Sequence, residues 1–180
     1  MSLIAIQGIK GSYSEEAAME FFGARRQILE CANFAETFQA VLTGKTKYAV
    51  VPLKNKIVGE IESAAKIFKQ TNLQIKNELT LEINHVLVGT QEAEFENLTS
   101  VRSHVEALKQ CRRFLSSNQN WQQIIGADTA SSIKRVVEGN IAENAAVGSR
   151  RAAEIYGGKI LKENIADDLE NWTTFYLIGN

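Results

Sequence analysis

Short apolar runs alternate along this chain with segments of helical spacing about 10 to 15 residues long. Leu3 to Ile6 reads as a first strand. Ser12-Tyr13-Ser14-Glu15 has capping-box spacing and opens a helix that Gly23 stops. Asn33-Phe34-Ala35-Glu36 opens a second helix, which ends at Gly44. Tyr48 to Pro52 is a continuous apolar run with two valines, as in a strand buried on both faces. A loop over Leu53 to Gly59 and a helix to about Lys69 follow. Residues 73–88 alternate, with Leu79, Leu81, Ile83 and His85 on one side, and predict one long strand. Ser103-His104-Val105-Glu106 is a further capping box, and its helix carries Ala107, Leu108, Cys111, Phe114 and Leu115. Trp121 to Ile125 is a strand candidate, and Asp128 or Thr129 caps a helix that ends at Gly139. A short strand over Ala145 to Val147, a helix from Ser149 to Gly157-Gly158 and a last strand over Thr174 to Ile178 complete the series.

Strand-helix alternation of this kind predicts an α/β fold with mostly parallel sheets flanked by helices. The stretch 73–88 contains no helix and reads as a crossover between two lobes. The expected division is 1–76 plus 166–180 for lobe one and 77–165 for lobe two, with the last strand returning to the first lobe. A ligand is expected in the cleft between the lobes, near strand C-termini and helix N-termini.

The chain has 180 residues, 44% of them apolar, which suits a packed core. Its net charge of -1 gives no footprint for nucleic acid and no polybasic case for a membrane surface. No apolar stretch reaches the roughly 18 residues of a membrane span. The opening Met1-Ser2-Leu3-Ile4-Ala5-Ile6 does not have the form of a signal peptide. Cys31 and Cys111 lie far apart, which fits a reducing cytoplasm. His85 and His104 have no neighbours of ligand spacing, so no metal site is expected.

Several loop-to-helix junctions carry polar residues that local structure explains only in part. Gly8-Ile9-Lys10-Gly11-Ser12-Tyr13-Ser14 follows a strand; it is either a turn with an N-cap or an anion cradle. Pro52-Leu53-Lys54-Asn55-Lys56-Ile57-Val58-Gly59 offers two lysines for carboxylates and an amide, or else a solvated turn. Ser103 reads most simply as an N-cap, and Gln110 lies two turns along the same helix face. Capping alone also explains Asp128-Thr129, and Asn171-Trp172-Thr173-Thr174-Phe175 could be an ordinary turn.

Taken together and in order, these segments resemble the prephenate dehydratase family. Gly8-x-x-Gly11-Ser12-Tyr13-Ser14 is similar to the family's Gly-Pro-x-Gly-Thr-Phe-Ser. The stretch from Pro52 to Gly59 is similar to Pro-x-Glu-Asn-Ser-x-x-Gly. Ser103-His104-x-x-Ala107-Leu108-x-Gln110-Cys111 resembles Ser-His-Pro-x-Ala-Leu-x-Gln-Cys. Asp128-Thr129-Ala130 resembles Ser-Thr-Ala, and Asn171-x-Thr173-Thr174-Phe175 resembles Asn-x-Thr-Arg-Phe.

The resemblance implies a two-lobed, periplasmic-binding-protein-like α/β domain and a carbon-oxygen lyase. That enzyme converts prephenate to phenylpyruvate with loss of water and carbon dioxide, and needs no cofactor. It implies a small dicarboxylate as the partner, and a homodimer or larger assembly. It puts the donor role on Thr173 and substrate binding on Ser12, Asn55, Ser103, Gln110, Thr129, Thr174 and Phe175. Family members commonly carry a C-terminal phenylalanine-binding ACT domain. The resemblance here covers the catalytic domain, so feedback within this polypeptide is expected to be absent, as is a fused chorismate mutase.

Three positions depart from the family pattern. Lys54 stands for glutamate, Lys56 for serine, and Thr174 for arginine. The expectation drawn from this is a relocated charge, with Lys54 or Lys56 anchoring a carboxylate in place of a residue at 174, and altered activity. Restoring all three family residues is then expected to raise dehydratase activity. A non-aromatising prephenate decarboxylase and a binding module without turnover are the other two readings.

Overall fold

The computed structural model describes residues 3–180, so Met1 and Ser2 of the opening segment lie outside the described residues. The chain forms two compact units. One comprises the chain through Ile9, Tyr13–Ile83 and Glu170–Asn180; the other comprises Lys10–Ser12 and Asn84–Leu169. The divisions therefore fall at 83/84 and 169/170, beyond the 76/77 and 165/166 read from the sequence.

The first unit holds strands β1 (Ile4–Gln7), β2 (Ile28–Cys31), β3 (Tyr48–Asn55), β4 (Gly59–Glu60) and β5 (Gln74–Glu82). Its helices are α1 (Tyr13–Phe22), α2 (Phe34–Leu42) and α3 (Glu62–Lys69). The last strand of the chain, β11 (Trp172–Gly179), completes the sheet in the order β2-β1-β3-β11-β5, with β4 on β3. Alternate residues of the strands feed two cores. Ile4, Ile6, Val50, Phe175 and Leu177 pack with Ala17 and Ala18 of α1. Ala5, Ala49, Val51 and Ile178 pack with Phe38 and Val41 of α2. The Asn33 side chain accepts from Glu36 N–H and so caps α2, while the Glu36 carboxylate accepts from Ala32 N–H, just before the cap, and from the Asn33 side-chain amide.

The second unit holds β6 (Val86–Gly89), β7 (Ser100–Ser103), β8 (Gln122–Ile125), β9 (Asn144–Gly148) and β10 (Lys159–Lys162). Its strand order is β10-β6-β9-β7-β8. Helices α4 (Val105–Gln110) and α5 (Arg112–Ser116) cover one face, where Ala107, Leu108, Cys111 and Leu115 meet Leu87, Val101, Ala145 and Val147. Helices α6 (Thr129–Gly139) and α7 (Arg150–Tyr156) also pack on this unit's strands. No helix among the described residues is long and apolar enough to cross a membrane.

Four expectations change. The sheets are mixed, not mostly parallel. β11, which joins the first sheet only after the chain returns from the second unit, runs antiparallel to β3 and β5, and β6 runs antiparallel to β9 and β10; none of these pairs is consecutive in the chain. The strand expected to stop at Pro52 continues to Asn55. Proline has no N–H for the ladder, and the register slips there: Lys54 pairs with Thr174 but Pro52 pairs with Phe175, leaving Leu53 as a bulge. The single strand read over 73–88 is two, β5 and β6, one in each unit, interrupted at 83–85. The helix expected from Ser103 starts later and breaks at Cys111, whose backbone (φ -109, ψ 23) leaves helical geometry.

Candidate active site

Within the first unit, Asn55 and Thr173 are opposed in the β3–β11 ladder. Both are buried, as is Asn171. The Asn55 carbonyl Oδ1 accepts from Ile57 N–H (2.9 Å) and Val58 N–H (3.1 Å). Those two bonds fix the amide's orientation, because a flipped amide would set N–H groups against N–H groups. Its Nδ2 must therefore donate, and its two hydrogens are shared among Asn171 Oδ1 (2.8 Å), Thr173 Oγ1 (2.9 Å) and Trp172 O (3.0 Å).

The Thr173 hydroxyl is thus an acceptor toward Asn55, and among the described residues nothing accepts its proton. A hydroxyl that already accepts one hydrogen bond is a stronger donor in the next. This cluster can hand a hydrogen bond or a proton to a ligand oxygen.

Thr174 and Lys54 do not join it. Successive strand residues face opposite sides of a sheet. Thr174 is half-buried and meets Thr80 Oγ1 at 3.2 Å, while Lys54, its cross-strand partner, is exposed. Phe175 is buried in the core beside α1. Lys56 is exposed and paired with Glu170 at 3.1 Å. Such surface pairs contribute at most about 1 kcal/mol and yield readily to a better anion.

In the second unit, three of the candidate segments and the start of β6 converge on the C-terminal end of β9, around Val147-Gly148-Ser149. Ser103 is fully buried and donates to Val147 O at 2.7 Å. This corrects its reading as an N-cap: Ser103 ends β7, and His104 caps α4 by accepting from Glu106 N–H. The proton of Ser103 is committed, so only its oxygen lone pairs remain to offer.

Thr129 opens α6, and Asp128 caps it by accepting from Ser131 N–H at 2.7 Å. A Cβ on Gly148 would lie 3.2 Å from Thr129 O and 2.6 Å from Ile133 Cδ1, so only glycine lets β9 reach Thr129 this closely. The loop bearing Ser12 is tied to the same end. Ser149 donates to Gly11 O (3.3 Å) and Tyr156 to Lys10 O (2.6 Å). Gly11 has φ +87, and a Cβ there would lie 3.2 Å from Ala152 Cα. The start of β6 joins them, where Val86 pairs with Gly148. His85 precedes it, and its Nε2 lies 2.9 Å from Gln110 Oε1.

Three parts of this arrangement were not singled out from the sequence. Asn171 appears there only as a motif letter, yet it is fully buried against Asn55. His85 appears only as a strand residue, although a histidine at an otherwise apolar alternating position was a visible signal. Val147-Gly148-Ser149 carries no local signal, because its role comes from what packs against it. A cavity of about 740 Å³ runs between α6 and the start of β7, lined by Ser100, Arg102, Lys134 and Arg135 among others; it contains none of the candidate residues.

Each unit is a mixed α/β layer with its own polar cluster, the Asn55–Thr173–Asn171 group in the first and the residues around the end of β9 in the second. The chain belongs to the prephenate dehydratase family, whose profile matches residues 4–180. It is 37% identical to a bifunctional chorismate mutase/prephenate dehydratase of Buchnera aphidicola subsp. Schizaphis graminum, over 96% of this chain and 46% of that protein. It is also 37% identical to arogenate dehydratase/prephenate dehydratase 1, chloroplastic, of Arabidopsis thaliana, over 98% of this chain and 44% of that one. The chain thus spans about half the length of these curated relatives.

Among solved structures, a prephenate dehydratase of Arthrobacter aurescens in complex with L-Phe superposes with a TM-score of 0.88 at 25% identity, over 99% of this chain and 60% of that one. A protein described as GqqA, a novel type of quorum quenching acylase, superposes at 0.83 with 28% identity, over 99% of this chain and 64% of that chain.

Proposed function

We infer that this chain is a lyase that converts prephenate to phenylpyruvate by decarboxylative dehydration. Family membership supports the reaction class. The single observation that carries the reading to a mechanism is the fixed amide of Asn55, which makes Thr173 Oγ1 an acceptor and leaves its proton without an acceptor among the described residues.

The chemistry asks for such a group. The bond between the ring and its carboxylate breaks, and its electron pair enters the ring. The ring becomes aromatic as the hydroxyl on the opposite carbon departs. Hydroxide leaves poorly, so a positioned donor on that oxygen lowers the barrier, and the departing group takes a proton to become water. Thr173 supplies that hydrogen bond and regains its proton from solvent. Carbon dioxide and water are the other products, and aromatisation provides the driving force, so no cofactor enters.

The carboxylates need donors, and we assign that role to Ser12, Gln110 and Thr129, with Ser103 offering only its oxygen lone pairs. Lys56 is the cation we assign to a substrate carboxylate, since its partner Glu170 is itself exposed and exchangeable. Lys54 and Thr174 have no part in this scheme. A cytoplasmic setting and a homodimer or larger assembly belong to the same reading. Both cysteines are buried free thiols, as a reducing compartment permits.

Incubating the purified chain with prephenate tests the reading. Phenylpyruvate, seen by its absorbance in alkali, is the expected product. Carbon dioxide without an aromatic product would select the decarboxylase instead.

A further inference from the structure

His85 is 2% exposed and lies where β6 begins, with its carbonyl accepting from Ile165 N–H at 3.2 Å. Among the described residues its ring makes one hydrogen bond, from Nε2 to Gln110 Oε1 at 2.9 Å. Nδ1 is buried and has no hydrogen-bond partner among the described residues. These facts restrict the protonation state. An imidazolium carries two N–H donors, and the one at Nδ1 would be buried without an acceptor. The neutral form protonated at Nδ1 has the same fault. The neutral form protonated at Nε2 leaves only a bare lone pair at Nδ1, and a buried orphan acceptor is more readily tolerated than a buried orphan N–H. Burial also lowers the histidine's pKa, against a smaller opposing effect of the Gln110 bond.

We propose that His85, as the neutral tautomer protonated at Nε2, is a positioning residue that holds the Gln110 carbonyl and so fixes which end of that amide meets the substrate. A glutamine amide has two ends of opposite polarity and similar shape. An anionic ligand is met by the nitrogen and repelled by the oxygen. With Oε1 held by an N–H on a buried ring, only the nitrogen can be turned to a carboxylate. The backbone of Gln110 is held as well, its carbonyl accepting from Asp167 N–H at 2.7 Å. The assignment rests on the reading of Gln110 as a substrate-binding residue, but the tautomer can be measured without any turnover.

The test uses the full chain labelled with nitrogen-15. Long-range proton–nitrogen spectra near neutral pH are expected to show the His85 ring protonated at Nε2 and bare at Nδ1. His85→Gln and His85→Leu assign the signals. With prephenate, His85→Leu is expected to lower kcat/KM by about ten- to a hundredfold, the range seen when an outer partner of a functional residue is removed. His85→Gln, whose amide N–H can reach the Nε2 position, should restore most of that loss. In a Gln110→Leu background the His85→Leu change should cost nothing more.

A ring protonated at Nδ1, or losses from His85→Leu and Gln110→Leu that simply add, would overturn the proposal. Should His85→Leu fail to fold, the tautomer in the unaltered protein still decides. Should the unaltered protein lack dehydratase activity, the functional reading fails while the ring spectrum remains decisive for His85.

Discussion

Lys54 and Thr174 stand opposite each other across the β3–β11 ladder, on the face of the sheet away from Thr173. These are the positions where the resemblance leads one to expect glutamate and arginine. Two departures that look independent in the sequence are one cross-strand pair in the fold. Opposite charges at such a pair stabilise a sheet, and like charges destabilise it, each by roughly 0.2–1 kcal/mol.

Thr174→Arg alone should therefore lower stability, because it sets an arginine against Lys54. Lys54→Glu alone should also lower it, because Glu60 is the cross-strand partner of residue 54 on β4. The double variant should be more stable than the sum of the two, by up to about 1 kcal/mol in urea unfolding. Its turnover of prephenate should stay within about threefold of the parent, since neither side chain is on the face of Thr173. The expectation that restoring positions 54, 56 and 174 together raises activity then rests on Lys56→Ser alone.

Asn55→Asp isolates the direction of one hydrogen bond. Aspartate can still accept from Ile57 N–H and Val58 N–H, so the turn after β3 should survive. It cannot donate, so Thr173 would give its proton to the carboxylate and have none to offer the substrate. We expect kcat to fall by about 10²-fold or more with little change in KM, as for loss of a positioned donor. Circular dichroism and the unfolding midpoint would show whether the fold is kept.

His85 predicts a pH dependence of stability. Its pKa in the folded protein lies below the ordinary imidazole value of 6.5, chiefly through burial. As pH falls through that value, the unfolded chain takes up a proton that the folded one does not, so folding stability falls with pH. The slope is bounded by one proton, about 1.4 kcal/mol per pH unit. Urea midpoints at pH 7.5 and 5.5 should drop more for the parent than for His85→Gln. Equal drops would show that this group does not set the dependence.

Periodicity and capping residues were enough to read most helices. Asn33, Asp128 and Ser149 cap α2, α6 and α7, where their spacing to the next apolar run puts them. Strands at sheet edges or with few apolar residues were harder. β2, β7 and β10 are four residues each, and β2 and β10 are only half-buried, so their alternation is too short to register. Residues 73–88 misled because alternation continues through Ile83 and His85, which are buried by their own units and not by a common strand. For the proposed site, motif order pointed to Asn55, Ser103, Gln110, Thr129 and Thr173. It could not tell that Ser103 has committed its proton or that residue 174 faces away, since both follow from register and long-range bonds.

The central claim is that the Thr173 hydroxyl is donated to the leaving oxygen of prephenate, and it is tested most directly by comparing Thr173→Val with Thr173→Ser and the parent. Phenylpyruvate formation should fall by about 10²- to 10⁴-fold in the valine variant, which keeps the shape but not the donor. The serine variant should recover a large part of it. A valine variant that turns over as fast as the parent would contradict the account.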